Sequence, residues 1–134
     1  MKLKKAEEAF LKNSRVARVA TADAQGRPHA VPVCHLWERG LVYFGSAQDA
    51  KKIRNLQENS QIALVVDDYT DVWAHVRGLL LQGEAKLISS GAEFRRIRAL
   101  LYRKFPLYEQ EAALEENDAV IVRVTPQKAV SWGL

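Results

Sequence analysis

The sequence predicts a mainly β protein of the α+β class, a curled antiparallel sheet of barrel-like form with short helices inserted between its strands. Three observations lead there. Six or seven short segments alternate apolar with polar residues, or run apolar between turn signals. The three helical stretches are short and do not separate the strands in the regular βαβ rhythm of a parallel sheet. The 134 residues contain no linker, internal repeat or low-complexity tract, so they read as one domain spanning 1–134.

Taken in order, Lys2 to Lys12 places Leu3, Ala6, Ala9 and Phe10 opposite a Lys/Glu face, the pattern of a short amphipathic helix ended by Asn13-Ser14. Arg15 to Thr21 alternates as a half-buried strand, and Asp23-Ala24-Gln25-Gly26 is turn chemistry. Pro28 to Trp37 reads as one long second strand, and Pro32 within it, lacking an N–H, predicts an edge strand or a bulge. After the turn Glu38-Arg39-Gly40 comes a buried strand, Leu41 to Phe44. Ser46 to Asp49 is a helix-start signal for a helix over 50–58 with Ile53 and Leu56 on one face. Ile62 to Val66 is a strand and Asp67 to Ala74 a loop. His75 to Ile88 is a long strand that Gly78 and Gly83 can bend. Ser89-Ser90-Gly91 begins a helix through Phe94, Ile97, Leu100 and Leu101, which Phe105-Pro106 breaks. A weaker helical stretch runs from Leu107 to Glu116. Ala119 to Val124 is a strand, Thr125-Pro126 a kink, and Ala129 to Trp132 a last short strand.

Composition narrows the function classes. Hydrophobic residues are 48% and charged residues 27%, with 7 Gly and 4 Pro, which is ordinary for a globular chain. The single cysteine, Cys34, excludes an intramolecular disulfide and a multi-thiolate metal site. A charged start without an apolar h-region, and no apolar run near the roughly 20 residues that span a bilayer, lead to the expectation of a cytoplasmic protein without membrane contact. The formal charge of +4 favours an anionic partner mildly.

The stretch Tyr43 to Leu56 carries the strongest chemical signal. A buried strand ends in Gly45-Ser46, and the next helix opens with Lys51 and Lys52 followed by Arg54. Free N–H groups at a helix N-terminus, a hydroxyl before it and cations beside it make a phosphate site. Lysines in a first turn oppose the helix dipole unless an anion is present. Read from spacing alone, solvated lysines with Ser46 or Asp49 as a mere cap stand slightly ahead of that site.

Elsewhere the signals are weaker. Cys34 on an apolar strand fits packing better than nucleophilic or redox chemistry. His29, His35 and His75 have no metal-ligand spacing. Trp37, Trp73 and Trp132 fit core or interface anchors, and Trp132, near the C-terminus, is placed to reach a cofactor or a partner subunit. Arg95, Arg96, Arg98, Arg103 and Lys104 form a basic helix face that lacks the aromatics and motif of a nucleic-acid site, so a solvated face is expected. Arg77 lies within a strand and needs a partner there: a cofactor phosphate, a carboxylate of a cofactor tail, or a neighbouring Asp.

The segment Arg18 to Val33 (RVATADAQGRPHAVPV), the Gly-Ser-x4-Lys-Lys helix start, Asn59 to Leu64, Val76-Arg77-Gly78 with Gly83-Glu84-Ala85, and the closing Val130-Ser131-Trp132-Gly133 form an ordered set. That set resembles the pyridoxamine-phosphate-oxidase-like split-barrel superfamily nearly end to end. Within it, the pattern is similar to the small group described as deazaflavin (coenzyme F-420)-dependent enzymes. The resemblance implies an FMN-binding type split β-barrel, a homodimer holding its cofactor at the interface, and an oxidoreductase passing a hydride to an unsaturated small organic substrate. By position it puts a phosphate-binding lysine at Lys52, with Lys51, Ser46 and Ala47 beside it. It puts Val31, Pro32, Val33 and Cys34 where family backbone groups face the flavin or deazaflavin ring; Arg77 and Trp132, from their own placement in the chain, are the further candidate cofactor contacts. The pyridoxamine phosphate oxidases themselves carry an arginine where Val31 stands and a threonine where Gly45 stands. Their absence points to coenzyme F-420 ahead of FMN and away from vitamin B6 oxidation. FMN in the same cleft, and a non-enzymatic cofactor- or haem-binding protein with His35 as the residue to test for haem, are the alternatives. No residue reads as an obligatory acid or base.

Overall fold

The computed structural model describes residues 1–134. Helix α1 (Lys5–Asn13) is followed by strands β1 (Ala17–Ala22), β2 (Pro28–Val33), β3 (His35–Glu38) and β4 (Leu41–Ala47). Helix α2 (Lys51–Glu58) leads to β5 (Gln61–Asp68), a 3-10 turn (Trp73–His75) and β6 (Arg77–Ile88). Helices α3 (Ala92–Lys104) and α4 (Tyr108–Ala112) precede β7 (Ala119–Trp132).

The β1–β2 hairpin is set by one side chain. The Asp23 carboxylate accepts the N–H groups of Gln25 at 3.0 Å and Arg27 at 2.9 Å, and pairs with the Arg27 guanidinium at 2.8 Å. The Arg27 bond, the backbone donors and the facing charge hold that carboxyl down at about 2. Gly26 takes the left-handed conformation the turn requires, φ 80°.

All seven strands form one antiparallel sheet in the order β2-β1-β5-β6-β7-β4-β3. The two edge strands, β2 and β3, are separated in sequence by Cys34 alone. A chain that leaves one edge of a sheet and enters the opposite edge one residue later requires the sheet to curl until its edges meet, which is the split barrel. The expected single strand from Pro28 to Trp37 is therefore two, broken at Cys34. Pro32 sits on an edge as its missing N–H demands, paired only with Arg18.

Several expected boundaries move. The kink at Thr125-Pro126 does not divide β7. It is absorbed as a bulge, with the register shifting between Gln82 and Gly83. Gly83 faces Pro126, and a Cβ there would run into the Thr125 carbonyl oxygen. His75 belongs to the 3-10 turn, and β6 begins at Arg77. Neither Ser46 nor Asp49 caps α2, whose N-cap is Ala50. Helix α3 starts at Ala92 because the chain first turns at Gly91, φ 102°. The weak helix over 107–116 keeps only Tyr108–Ala112 and ends where Ala113 leaves helical geometry at ψ 139°.

Alternation along β4 splits the core in two. Val42 and Phe44 point into the barrel, where α1 and α2 add Leu11, Ile53 and Leu56 to Val19, Leu64, Leu79 and Val122. Tyr43 points outward, under α3, against Phe94, Ile97, Leu101 and Ile121. Positions 94, 97 and 101 lie at helical spacing, so one face of α3 is buried. Each such side chain contributes about 1.5–3 kcal/mol through burial.

One sheet face has no cover of its own. Across β2, β1, β5, β6 and β7 the outward rows read Pro32–Arg18–Val65–Leu80–Val130 and Ala30–Ala20–Ala63–Gln82–Lys128. These side chains are exposed or half-exposed, and they are mostly small or apolar.

Candidate functional site

Where the two sheet edges meet, a cleft of about 530 Å³ opens. Its walls include Pro32, Val33 and Cys34 from the end of β2, Gly45 of β4, Lys52 of α2 and Tyr108 of α4. A second hollow of about 490 Å³ shares Gly45 and Tyr108 with it and follows the chain from Ser46 to Asp49. Gly45 is the hinge of this arrangement. A Cβ there would stand 2.5 Å from the Tyr108 hydroxyl and 2.8 Å from a Leu114 methyl, so only glycine lets α4 close down beside the strand.

Lys52 is half-buried, and burial lowers its pKa, as expected for an ammonium partly withdrawn from water. Lys51, one residue round, is exposed. Helix α2 has no side-chain cap and no acidic residue in its first turn. The Ile53 and Arg54 N–H groups bond the Ala50 carbonyl at 3.0 and 3.1 Å, which leaves the N–H groups of Lys51 and Lys52 themselves without backbone partners. Those donors and cations fit a phosphate, and no bulky side chain stands at position 45 between them and β2.

The other expected residues divide. Pro32, Val33, Cys34 and Lys52 share the cleft, and Ser46 and Ala47 line the adjoining hollow. The Ser46 hydroxyl is buried and donates to the Ala47 carbonyl at 2.9 Å, leaving its lone pairs. Val31 packs toward the barrel core, so only its backbone faces the edge of β2. Arg77 and Trp132 do not join this cleft within one chain. Val130, two residues before Trp132, is four strand spacings across the sheet from Pro32, roughly 19 Å at ~4.8 Å per strand. Arg77 has found the neighbouring Asp among its three expected partners: it pairs with Asp68 and lies 5.0 Å from the Phe10 ring centroid. The Trp132 ring lies over Gly78, where a Cβ would strike it.

His35 is sealed. It is 0% exposed, and its Nε2 bonds the Leu11 carbonyl at 2.9 Å. Burial, with the Lys104 charge behind it, lowers its pKa to about 4. A side chain so enclosed does not present a nitrogen to a haem, which corrects the expectation attached to it. The α3 face is also less solvated than expected. Arg95 pairs with Glu116 at 3.3 Å and Arg98 donates to the Leu114 carbonyl at 3.0 Å. The Lys104 ammonium donates to the Ser14 and His35 carbonyls at 2.7 and 2.8 Å. Burial, then the Arg15 charge, brings the Lys104 pKa down to about 8.

Sequence reasoning missed Tyr108 and Arg15, which also line the cleft. Arg15 lies 4.9 Å from the Phe105 ring centroid and donates to the Lys104 carbonyl at 3.1 Å. The one available signal was Phe105-Pro106, since a helix stopped there must send the chain back across whatever it faces.

A seven-stranded curled sheet with edges meeting at a cleft and short helices filling its ends is a split β-barrel. The chain belongs to the pyridoxamine 5'-phosphate oxidase family, whose model matches residues 3–133. It is 29% identical over 134 residues to a 5a,11a-dehydrotetracycline/5a,11a-dehydrooxytetracycline reductase of Streptomyces rimosus, covering 96% of this chain and 81% of that one. Solved structures share the fold at lower identity. An F420 reductase superposes with a TM-score of 0.76 at 21% identity, covering 96% of this chain and 98% of that one. HutZ, a heme storage protein from Vibrio cholerae, gives 0.81 at 19%, covering 97% and 94%. No helix is long and apolar enough to cross a membrane.

Proposed function

We propose that this protein is a cytoplasmic, deazaflavin (coenzyme F-420)-dependent reductase that transfers a hydride to an unsaturated small organic substrate, with FMN in the same cleft as the alternative. The observation that carries the reading is the uncapped, lysine-flanked start of α2 opening beside the Pro32–Cys34 cleft. The reductase from Streptomyces rimosus supports the reaction class, and the F420 reductase of the same fold supports the cofactor. When bound, the cofactor supplies the hydride chemistry. Lys52 and the first N–H groups of α2 hold its phosphate, the Pro32–Cys34 backbone orients its ring, and α4 limits water.

The active form in this proposal is a homodimer with the cofactor between subunits. The uncovered face supports it, since a monomer would leave Val65, Leu80 and Val130 beside a row of alanines in water. A two-fold axis parallel to the strands and passing near β5 would lay the partner's β7 over β2. That arrangement brings the partner's Trp132 and Arg77 toward the cleft. Light scattering at micromolar concentration tests it, and a cofactor-loaded monomer would remove the interfacial site.

Titration of the apo-protein with coenzyme F-420 and with FMN, at low and high salt, tests the cofactor. The expected result is tighter binding of coenzyme F-420 that weakens with salt, because the contacts are charge-assisted. Tight, salt-insensitive FMN binding would favour the alternative.

A further inference from the structure

The chain has four tyrosines, and three have hydrogen-bond partners within it. The Tyr43 hydroxyl donates to Glu93 at 2.7 Å, the Tyr69 hydroxyl donates to Asp71 at 3.0 Å, and the Tyr102 hydroxyl accepts the Leu114 N–H at 2.7 Å. Tyr108 has none, although its ring is half-buried and packs at 5.9 Å from Tyr102 and 6.3 Å from Phe105 between centroids. Its hydroxyl is held where the two hollows join, beside Gly45 and in the field of the Cys34 thiol. The hydroxyl itself opens into the hollow, so a bound group can take the hydrogen bond that the chain leaves unmade. The residue opposite is a glycine, so no side chain of β4 takes the space the hydroxyl occupies.

We propose that the Tyr108 hydroxyl is a substrate-binding donor, giving its hydrogen bond to the carbonyl oxygen of a conjugated, α,β-unsaturated carbonyl compound bound in the cleft. This rests on the reductase reading for the class of substrate. Burial first, with the neighbouring Cys34 and Tyr102 adding to it, raises the Tyr108 pKa to about 12, so the group remains a donor across the physiological range. A donor of that kind selects an acceptor oxygen over a charged carboxylate-binding role, for which Arg15 and Lys52 are present instead. A carbonyl that accepts a hydrogen bond is also polarised along its conjugated double bond, which is the direction in which a reduction develops charge.

The test uses Tyr108→Phe, Tyr102→Phe and Lys52→Ala, with p-dimethylaminocinnamaldehyde as the probe, an enal whose visible band moves to longer wavelength when its carbonyl accepts a hydrogen bond. Wild-type protein is expected to shift that band. Tyr108→Phe is expected to abolish the shift and weaken probe binding by roughly tenfold, the usual effect of one uncharged hydrogen bond. Its melting temperature and its affinity for coenzyme F-420 and FMN should stay at the wild-type values, whereas Tyr102→Phe lowers the melting temperature. An unchanged band shift in Tyr108→Phe would overturn the proposal. So would a loss of cofactor affinity matching Lys52→Ala, which would make Tyr108 part of the cofactor site, or a fall in melting temperature matching Tyr102→Phe, which would make it structural. If wild-type protein shifts the probe band but binds neither cofactor, the reductase reading fails while the Tyr108 donor stands.

Discussion

The helix ends of this protein fall into two kinds. Helix α1 is finished at both ends by its own chain. Glu7 reaches back to the Lys4 N–H at 2.9 Å, and the Ser14 hydroxyl and His35 Nε2 bond the carbonyls of Phe10 and Leu11 at 2.7 and 2.9 Å. Helix α3 begins with Glu116 accepting the Gly91 N–H at 3.0 Å and carries Glu93 in its first turn. Helix α2 alone starts with no cap, no acid and two lysines. The first kind satisfies its backbone and helix dipole internally. The second leaves both unsatisfied beside a cleft. A helix end that is unfavourable in the empty protein is a place where an anion binds with more effect.

Acid should break the comparison from the satisfied side, with the largest effect. His35 has its pKa depressed to about 4, against an ordinary value near 6.5 for the unfolded chain. The unfolded chain therefore takes up the proton first, and the stability tied to neutral His35 is fully present above pH ~6.5 and lost as pH falls toward 4. The loss approaches about 3 kcal/mol, measurable as a falling urea midpoint over that window. His35→Gln should flatten the profile there.

On the open side, Lys52→Ala should leave the melting temperature of the apo-protein nearly unchanged. It should weaken binding of the phosphorylated cofactor by about 1.5–3 kcal/mol, ten- to a hundredfold, as one charge-assisted bond is lost. Lys51→Ala, exposed, should cost less. Fluorescence titration and thermal melts of both variants check this, and a Lys52→Ala protein that binds normally would put the phosphate elsewhere. Glu116→Gln at the satisfied end should do the reverse, lowering the melting temperature with no change in cofactor affinity. The smallest effect sharpens the contrast most. Ala50→Asp gives α2 the cap it lacks and should raise apo stability by about 0.5–1 kcal/mol while weakening cofactor binding, because a carboxylate then competes for the same donors.

The elements of the open helix end are adjacent in sequence, Gly45-Ser46 and Lys51-Lys52, yet their spacing alone left solvated lysines slightly ahead, and it was the resemblance that singled out Lys52. The fold class was legible because alternation and turn residues are local. What stayed hidden depends on pairing at a distance. Nothing in Pro28 to Trp37 marks Cys34 as a break, because the break arises only when both flanks find partners, β1 on one side and β4 on the other. Tyr108 reads as a minor residue in a weak helix until Gly45, 63 positions earlier, is seen to make room for it. Arg77 and Trp132 show the opposite case, where sequence grouped residues with the cleft that a single chain keeps three and four strands away from β2.

The one-residue passage at Cys34 also constrains how the chain folds. Hairpins β1–β2 and β3–β4 can form early from neighbours in sequence, and Cys34 ties them end to end. They come together as the two margins of one sheet only after β5, β6 and β7 have filled the space between. The β4–β7 ladder joins Ala47 to Ala119, so a long stretch of chain must be gathered before that seam can zip. Pairings at such separation are slow to form, in the millisecond-to-second range typical of sheet-rich domains. The cleft is thus among the last features to appear, and a chain halted before that step carries two fully made hairpins and no binding site.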